Sequence, residues 1–183
     1  MLILVGHSAS GKTEIANVLK NDYDMKKIIT YTTRPKRVNE VDDVDYHFVS
    51  EEKFLELKEK DFFVETTCFN GYYYGSSKED VKDDAVVVLD PTGLQNFKNS
   101  KLDNIFAIFL NCEESIRLNR MIKRGDDPKI AKDRLIHDRD KFSFDKIRNI
   151  DEIVNTSVFS INYLSELVYK TYQKLLKEKK EDK

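Results

Sequence analysis

The chain has 183 residues and a formal net charge of −2, with 35% charged and 40% hydrophobic residues. The length predicts one compact unit with a sizeable core, and the interspersed charges give no general reason to expect nucleic acid or a membrane as a partner. Apolar runs stay well short of the ~20 residues that span a membrane, and the apolar start is too short for a signal peptide, so we expect a cytoplasmic protein.

The first predicted element is a buried strand over Leu2–Val5, and the residues GHSASGKT follow it directly. Two glycines separated by four residues and followed by Lys12 and Thr13 have the spacing of a phosphate-binding loop. Glycine permits backbone angles that other residues avoid, so N–H groups can converge on one phosphate, and the helix predicted over Thr13–Lys20 points its positive end there. Such a loop does not by itself separate a GTPase, an ATPase motor and a small-molecule kinase.

A segment of different composition extends from Thr30 to Lys78 and is rich in Tyr, Thr, Phe and charged residues. Its pattern predicts a mixed or antiparallel insert that contains one helix, where a second substrate would bind. The predicted β pieces are Asp45–Val49, Phe62–Thr67 and Tyr72–Gly75, and the predicted helix is Glu51–Glu59.

The rest of the chain alternates buried strands with helices, which indicates an α/β fold with a parallel sheet and right-handed crossovers. The predicted strands are Ala85–Leu89, Ile105–Leu110 and Glu152–Asn155. The predicted helices are Gln95–Asn99, Glu113–Lys123 and Ile161–Leu176. We expect the charged tail, Lys177–Lys183, to fray. The polar stretch Lys123–Phe142 is either a solvated helix or a mobile cover over phosphates.

Arginines and tyrosines of the insert could hold the phosphate of an acceptor. Arg34 and Arg37 lie three residues apart, and Tyr46 and Tyr74 follow them. Guanidinium groups bind phosphate bidentately, and tyrosine hydroxyls add neutral donors that do not repel the arginines. A basic turn is also typical of an ordinary solvated surface, and both interpretations are open at this point.

Three stretches together resemble the guanylate kinase family: GHSASGKT, TTRPKRVNEVDDVDYHF and FVETTCFNGYYYGSS. The resemblance extends from Leu2 to about Asn155. It implies Mg²⁺-assisted, ATP-dependent phosphorylation of GMP or dGMP by a three-layer P-loop kinase core with a parallel sheet, a GMP-binding insert and a helical lid. It also implies one domain over 1–183, with the core at 1–29, 79–122 and 143–183, the insert at 30–78 and the lid at 123–142.

The resemblance also implies the roles of individual residues. The residues on ATP are Gly6, His7, Ser8, Ala9, Ser10, Gly11, Lys12 and Thr13. The residues on GMP are Thr30, Arg34, Arg37, Tyr46, Glu65, Tyr74, Ser76 and Asp90. Transfer of the phosphoryl group would involve Lys12, Arg120, Arg124 and Arg134. Thr13 and Asp90 would serve Mg²⁺, the latter through water.

Glu65 is the residue that would read the base. Guanine presents two adjacent donors, N1–H and N2–H, that one carboxylate can accept together, whereas adenine presents an acceptor at N1. A buried carboxylate that faces this acceptor would lack a partner, which discriminates strongly against adenine. Taken alone, Glu65 is more typical of a strand carboxylate that points to water, and only its spacing from Tyr74 and Gly75 favours the role in base reading.

The chain departs from the family pattern at a few positions. Thr92 stands where an acid is usual, Thr156 follows Asn155 in place of an aspartate, and Tyr31 replaces a small hydroxylic residue. The first departure leaves open a different acceptor, either another nucleoside monophosphate or a phosphorylated sugar. A non-catalytic binding module is a third hypothesis, although such modules typically lack the phosphate loop. We expect a monomer or a homodimer.

Overall fold

A computed structural model of the chain describes residues 1–36, 40–69, 71–100, 102–143 and 147–181. The strands are β1 Leu2–Gly6, β2 Lys26–Lys27, β3 Tyr31–Thr32, β4 His47–Phe48, β5 Phe63–Phe69, β6 Tyr72–Ser77, β7 Ala85–Val88, β8 Phe106–Asn111 and β9 Glu152–Asn155. The helices are α1 Lys12–Asp22, α2 Glu51–Glu59, α3 Pro91–Asn99, α4 Glu114–Lys123, α5 Pro128–Lys141 and α6 Ile161–Glu181.

The central sheet is parallel, with the strand order β2-β7-β1-β8-β9. β1 lies in the middle, with Leu4 beside Val88 of β7 on one side and Ile108 of β8 on the other. The carboxyl ends of parallel strands meet at one edge of a sheet, and in this architecture ligands bind there. The α/β fold and parallel sheet predicted from the sequence are confirmed.

Both faces of the central sheet are covered, so the unbroken apolar run of β1 is buried on both sides. Leu2 and Leu4 pack in a cluster with residues of α1 and α6. Ile3 and Val5 face the opposite cluster, which includes Leu94 of α3. Successive residues of a strand point to opposite faces of the sheet, and here helices cover both faces. The three layers predicted for the core follow from this arrangement.

The insert forms a second sheet, ordered β4-β3-β6-β5. The β3–β4 pair is parallel and the other pairs are antiparallel, so the sheet is mixed. Its inner side is aromatic, because the ring of Phe54 on α2 stacks at 4.6 Å on Phe63 and at 5.4 Å on Tyr73. Gly75 lies against these rings, and an added Cβ there would be 2.9 Å from Phe63.

Most predicted boundaries lie within two residues of the observed ones, and two differ by more. α3 begins at Pro91 rather than Gln95, because Asp90 caps it: its carboxylate accepts a hydrogen bond from the N–H of Gly93 at 2.7 Å. The expectation that the chain frays from Lys177 was wrong for the described residues, since α6 continues to Glu181. Lys174 and Glu178 lie one turn apart there and attract each other at 3.6 Å.

Within the described part of the chain, none of the helices combines the length and the apolar character needed to cross a membrane.

Gly6 ends β1 against a neighbouring strand, and this close approach makes a testable prediction. A Cβ at Gly6 would lie 2.6 Å from the backbone oxygen of Leu110 and 2.7 Å from Oγ of Ser10. Because the first contact is with backbone, we expect Gly6→Ala to lower the free energy of unfolding by about 1–3 kcal/mol, measured by urea denaturation.

Gly93→Ala is the matched control for this change. An added Cβ at Gly93 would meet its nearest neighbours at 3.4 Å, an ordinary contact, and the position lies in α3. Alanine is the better helix former by about 0.8–1 kcal/mol, so this variant should be at least as stable as wild type. Equal stability of both variants would contradict the steric argument.

Candidate functional site

The loop between β1 and α1 has the form of an anion cradle. Two of its residues adopt left-handed backbone angles, Ala9 with φ 58° and Gly11 with φ 98°, which turn successive N–H groups in one direction. The ammonium of Lys12 bends back over the loop and donates to the carbonyl oxygens of Gly6 and His7 at 2.7 Å each. Burial lowers the pKa of Lys12 to about 8. A charged phosphate in the cradle would stabilise the protonated ammonium.

Residues from the far end of the chain support the loop from behind. The hydroxyl of Thr156, after β9, donates to the carbonyl oxygen of Ser10 at 2.8 Å. Arg120 of α4 donates to the carbonyl oxygens of Ala9 at 3.2 Å and of Thr156 at 2.7 Å. Thr156 is fully buried, so only a small side chain fits at this position and supports the loop through its hydroxyl. This departure from the family pattern therefore has a structural role.

The helix α5 contacts the same loop through a buried carboxylate. Asp138 accepts hydrogen bonds from the backbone N–H of Ser8 at 2.7 Å and from its hydroxyl at 3.2 Å. Asp138 also pairs with Arg117 of α4 at 3.0 Å, and both side chains are almost fully buried. Removal of either partner would leave a buried charge without compensation, so this pair fixes α5 to the core.

A cavity of about 510 Å³ opens beside the loop, on the side of α1 and α6. Backbone of the loop forms one wall, and Arg120 and Arg124 lie along another. The side chains of Phe159 and Ile161 form an apolar wall near the start of α6. A cavity with an apolar wall, basic side chains and a phosphate cradle suits a nucleotide, whose base is apolar on its faces and whose phosphates are anionic.

A second cavity, of about 280 Å³, lies between the insert and the carboxyl end of the central sheet. The guanidinium of Arg34 lies 5.3 Å from the ring centre of Tyr46, and the rings of Tyr46 and Tyr74 meet edge to face at 6.2 Å. Glu40 pairs with Arg34 at 2.7 Å. Arg34, Tyr46 and Tyr74 line the cavity and bring together guanidinium and phenol donors, which suit an anionic ligand.

Glu65 of β5 lines the same cavity and is 6% exposed. Its Oε1 accepts a hydrogen bond from the hydroxyl of Ser76 at 3.1 Å. Its Oε2 is buried and accepts no hydrogen bond from the described residues. Burial raises the pKa of Glu65 to about 7, and the nearby charge of Asp90 adds to this effect. A buried acceptor without a partner, in a cavity wall, fits a ligand that presents hydrogen-bond donors.

Comparisons with known proteins identify the family. A sequence model described as guanylate kinase matches residues 1–160. The chain belongs to the guanylate kinase family. It is 36% identical over 149 residues to the guanylate kinase of Wolinella succinogenes, a match that covers 75% of this chain and 68% of the relative. It is 31% identical over 159 residues to the guanylate kinase of Carboxydothermus hydrogenoformans, with 82% and 76% covered.

The fold agrees with this family. The crystal structure of guanylate kinase from Anaplasma phagocytophilum matches with a TM-score of 0.71 over 94% of this chain and 84% of that chain, at 20% identity. A shikimate kinase from Bacteroides thetaiotaomicron matches with a TM-score of 0.51 at 15% identity over 96% of this chain and 97% of that one. These likenesses concern the fold alone.

Most residues expected in the two guanylate kinase sites lie at the two cavities, with some differences in detail. Ser76 is fully buried behind Glu65, where it orients the carboxylate. Arg124 and Arg134 do not lie free over the phosphate loop, since both pair with Asp126, at 2.6 and 3.0 Å. Thr13 is exposed at the start of α1. Arg37 lies outside the described residues.

Several residues at these cavities or at the phosphate loop were not predicted from the sequence. Asp138 and Lys141 stand in a helix dense in charges, so nothing in the pattern separates them from solvated neighbours. Thr67 lines the same cavity as Glu65. It lies two residues later on the same side of β5, so the alternation of side chains along a strand could have indicated it. Phe159 is 52% exposed. An aromatic side chain in a polar loop before a helix is the sequence feature that could have indicated Phe159 as a cavity residue.

The raised pKa of Glu65 predicts how stability depends on pH. The carboxyl has a pKa of about 7 in the folded protein and an ordinary value of 4.5. Its neutral form therefore favours the fold fully below pH 4.5, and this contribution is lost as pH rises to about 7. The loss amounts to about 3 kcal/mol for a shift of this size.

We expect Glu65→Gln to remove this pH dependence. The difference in free energy of unfolding between variant and wild type should increase from pH 4.5 to pH 7 and stay constant above it, measured by denaturation in the absence of nucleotide. The shared contributions of all other titratable groups cancel in this difference. A difference that is constant from pH 4.5 to 8 would show that the carboxyl is not desolvated.

Proposed function

We propose that this chain transfers the γ-phosphoryl group of ATP to GMP or dGMP. The observation that carries the proposal is Glu65, which lines a cavity together with a guanidinium and two phenols and whose buried Oε2 has no partner among the described residues. One cavity thus offers an acceptor for the edge of guanine and donors for a phosphate. The 510 Å³ cavity beside the phosphate loop would hold the donor nucleotide. We call it the donor cavity, and the cavity at Glu65 the acceptor cavity.

The loop would hold the donor's phosphates through its N–H groups and Lys12. The Lys12 ammonium now donates to two loop carbonyls, and incoming phosphate oxygens would be stronger acceptors because they are charged. The adenine would lie between the apolar wall of Phe159 and Ile161 and the basic side chains of α4. This placement leaves the γ-phosphate on the side of the acceptor cavity.

The acceptor would bind with its base toward Glu65 and its phosphate toward Arg34, Tyr46 and Tyr74. Ionised Glu65 would accept N1–H and N2–H of guanine, one on each oxygen. Ser76 holds the carboxylate in place from behind. A base with an acceptor at this edge would leave the buried carboxylate unpaired, which costs several kcal/mol in a site of this kind.

The chemical step needs positioning and charge neutralisation more than acid or base catalysis. An oxygen of the acceptor's phosphate attacks the γ-phosphorus of ATP and forms the new P–O bond. The bond between the γ-phosphorus and the β,γ-bridging oxygen breaks, and ADP leaves with the electron pair. No net proton transfer is required when the acceptor phosphate is a dianion. Cationic side chains neutralise the charge on the transferred group.

The oxygen donors present fit a magnesium ion held mainly by substrate phosphates. Magnesium keeps several waters and takes only one or two protein ligands in kinase sites. Thr13 offers a hydroxyl beside Lys12. Asp90 offers a carboxylate that lines both the acceptor cavity and a smaller cavity at Lys12. Asp90 already pairs with Lys141 at 2.9 Å, which favours a contact with the ion through water. When bound, the ion would neutralise the ATP phosphates.

Arg124 and Arg134 are proposed to join the phosphates when the lid closes. Both are about half exposed and pair with Asp126, an exposed arrangement that stabilises the fold little. Phosphates carry more charge than one carboxylate, so the arginines can exchange partners at small cost. Closure would also keep water away from the γ-phosphate.

A different acceptor is the second candidate function. Thr92, which replaces the usual acid, is exposed in the first turn of α3 and is not among the residues that line the acceptor cavity. Its side chain therefore offers no direct group to a base. Guanine would then be read by Glu65 alone. Discrimination between bases would be weaker than with a second acid, which is what would admit a different acceptor.

Comparison of acceptors tests both candidates. ADP formation from Mg²⁺-ATP would be measured with GMP, dGMP, AMP, CMP, UMP and dTMP in parallel. We expect turnover with GMP and dGMP. Glu65→Gln should lower kcat/KM for GMP by about 100-fold or more, because a buried hydrogen-bonding site loses its match to N1–H and N2–H.

Glu59→Gln is the matched control, since Glu59 is an exposed carboxylate on α2. It should leave kcat/KM for every acceptor unchanged. Turnover of another acceptor that is insensitive to Glu65→Gln would favour the second candidate. A folded protein that forms no ADP with any acceptor would contradict both.

Phe159 tests the placement of the donor. Phe159→Ala should raise KM for ATP about 10-fold, since base stacking on an aromatic ring contributes roughly 1–3 kcal/mol, while KM for GMP stays unchanged. Val158→Ala is the control, because Val158 is 77% exposed and is not among the residues that line the donor cavity. An unchanged KM for ATP in the Phe159 variant would place adenine elsewhere.

A further inference from the structure

Lys141, the last residue of α5, lines two neighbouring cavities. It lines the acceptor cavity together with Glu65 and Arg34. It also lines a smaller cavity of about 250 Å³, together with Gly6, Ser8 and Lys12 of the phosphate loop. Asp90 lines both cavities as well, and its Oδ2 is 2.9 Å from the Lys141 ammonium. The ammonium is therefore placed where the acceptor's phosphate and the γ-phosphate of ATP would meet.

The backbone around Lys141 is fixed on both sides. One turn earlier, Asp138 accepts two hydrogen bonds from Ser8 of the phosphate loop. One residue later, the ring of Phe142 packs 4.7 Å from the ring of His7. Both anchors belong to the phosphate loop, so the loop itself determines where the Lys141 side chain begins. Its flexible stem can then carry the ammonium to a phosphate oxygen.

The charges around this junction are arranged for a strongly anionic ligand. Lys141 and Lys12 face the same small cavity, and the positive charge of Lys141 is one of the causes that lower the pKa of Lys12. Asp90 balances part of this charge before nucleotides bind. Two ammonium groups that repel one another across a cavity are both stabilised when a phosphate lies between them.

We propose that Lys141 is a further catalytic residue of this enzyme, whose ammonium contacts the phosphoryl group as it passes from ATP to the acceptor. The inference rests on the proposed function. Lys141 remains protonated throughout, and the bonds formed and broken are those already given for the transfer. Its contribution is to neutralise charge on the oxygens of the transferred group, where that charge is spread in the transition state.

Stability and catalysis can be separated at this position. The side chains of Lys141 and Asp90 are 34% and 33% exposed, and an ion pair this accessible to solvent stabilises a fold little. Loss of the ammonium should therefore leave the melting temperature nearly unchanged. A loss of rate in a protein that melts normally reports the chemical role.

The test measures the transfer step itself. Lys141→Met, Lys141→Arg and wild type would be mixed with saturating Mg²⁺-ATP and GMP under single-turnover conditions, and GDP would be followed by rapid quench. We expect Lys141→Met to slow the transfer about 100-fold, at the lower end of what loss of one charge-stabilising donor costs in other enzymes. The KM values for both nucleotides should change much less, and Lys141→Arg should recover most of the rate.

Lys132→Met is the matched control, since Lys132 is exposed on the same helix. It should behave as wild type. If Lys141→Met does not fold, Lys141→Gln takes its place, because the amide can still donate to Asp90.

A transfer rate of the neutral variant within about twofold of wild type would overturn the proposal, since one missing charge-stabilising donor costs far more. An equal loss in the Met and Arg variants would also overturn it, because shape rather than charge would then matter. Wild type that forms no GDP would instead contradict the proposed function, and the role of Lys141 would be rejected with it.

Discussion

The proposed site depends on one loop of backbone, between β1 and α1, whose shape exposes its N–H groups. Gly6 begins the loop so close to Leu110 of β8 that a side chain does not fit. Thr156 supports it at Ser10 across 146 positions of sequence, and Asp138 supports it at Ser8 across 130. Each support comes from a different part of the chain, so the phosphate cradle exists only when the central sheet, the end of β9 and α5 are assembled. This explains why a short glycine-rich loop can be rigid.

The two sides of the site solve opposite electrostatic problems. On the donor side, cations must be kept close together without an anion, and Lys12 does this by donating to loop carbonyls. On the acceptor side, a carboxyl group is buried in the wall of a cavity. Burial raises the pKa of Glu65 to about 7, so the group is partly protonated near neutral pH. Burial of both groups costs stability, and in the proposed function this cost accompanies readiness to bind nucleotide. Binding of the nucleotides would relieve both, which couples occupancy of the sites to the stability of the fold.

Much of this site could be predicted from the sequence because its groups act through local spacing. The phosphate loop is eight consecutive residues, and its function follows from their order. Arg34, Tyr46, Glu65 and Tyr74 belong to two of the three stretches that resemble the guanylate kinase family. Lys141, Asp138 and Phe159 could not be found this way. Each owes its position to packing between elements far apart in sequence, and each stands in a stretch whose composition is typical of a solvated surface.

Local features of the chain predict the kind of protein: an α/β core with a parallel sheet, a phosphate loop after its first strand, and an insert whose arginines and tyrosines could hold a second phosphate. These properties follow from strand hydrophobicity, glycine spacing and residue chemistry, which are local. The folded chain adds what local features do not carry. Glu65 has one buried oxygen without a partner among the described residues, Asp126 pairs with Arg124 and Arg134, and Lys141 lines both the cavity at Glu65 and the smaller cavity at the phosphate loop. Burial and charge pairing depend on which surfaces meet, and that is a property of the folded chain.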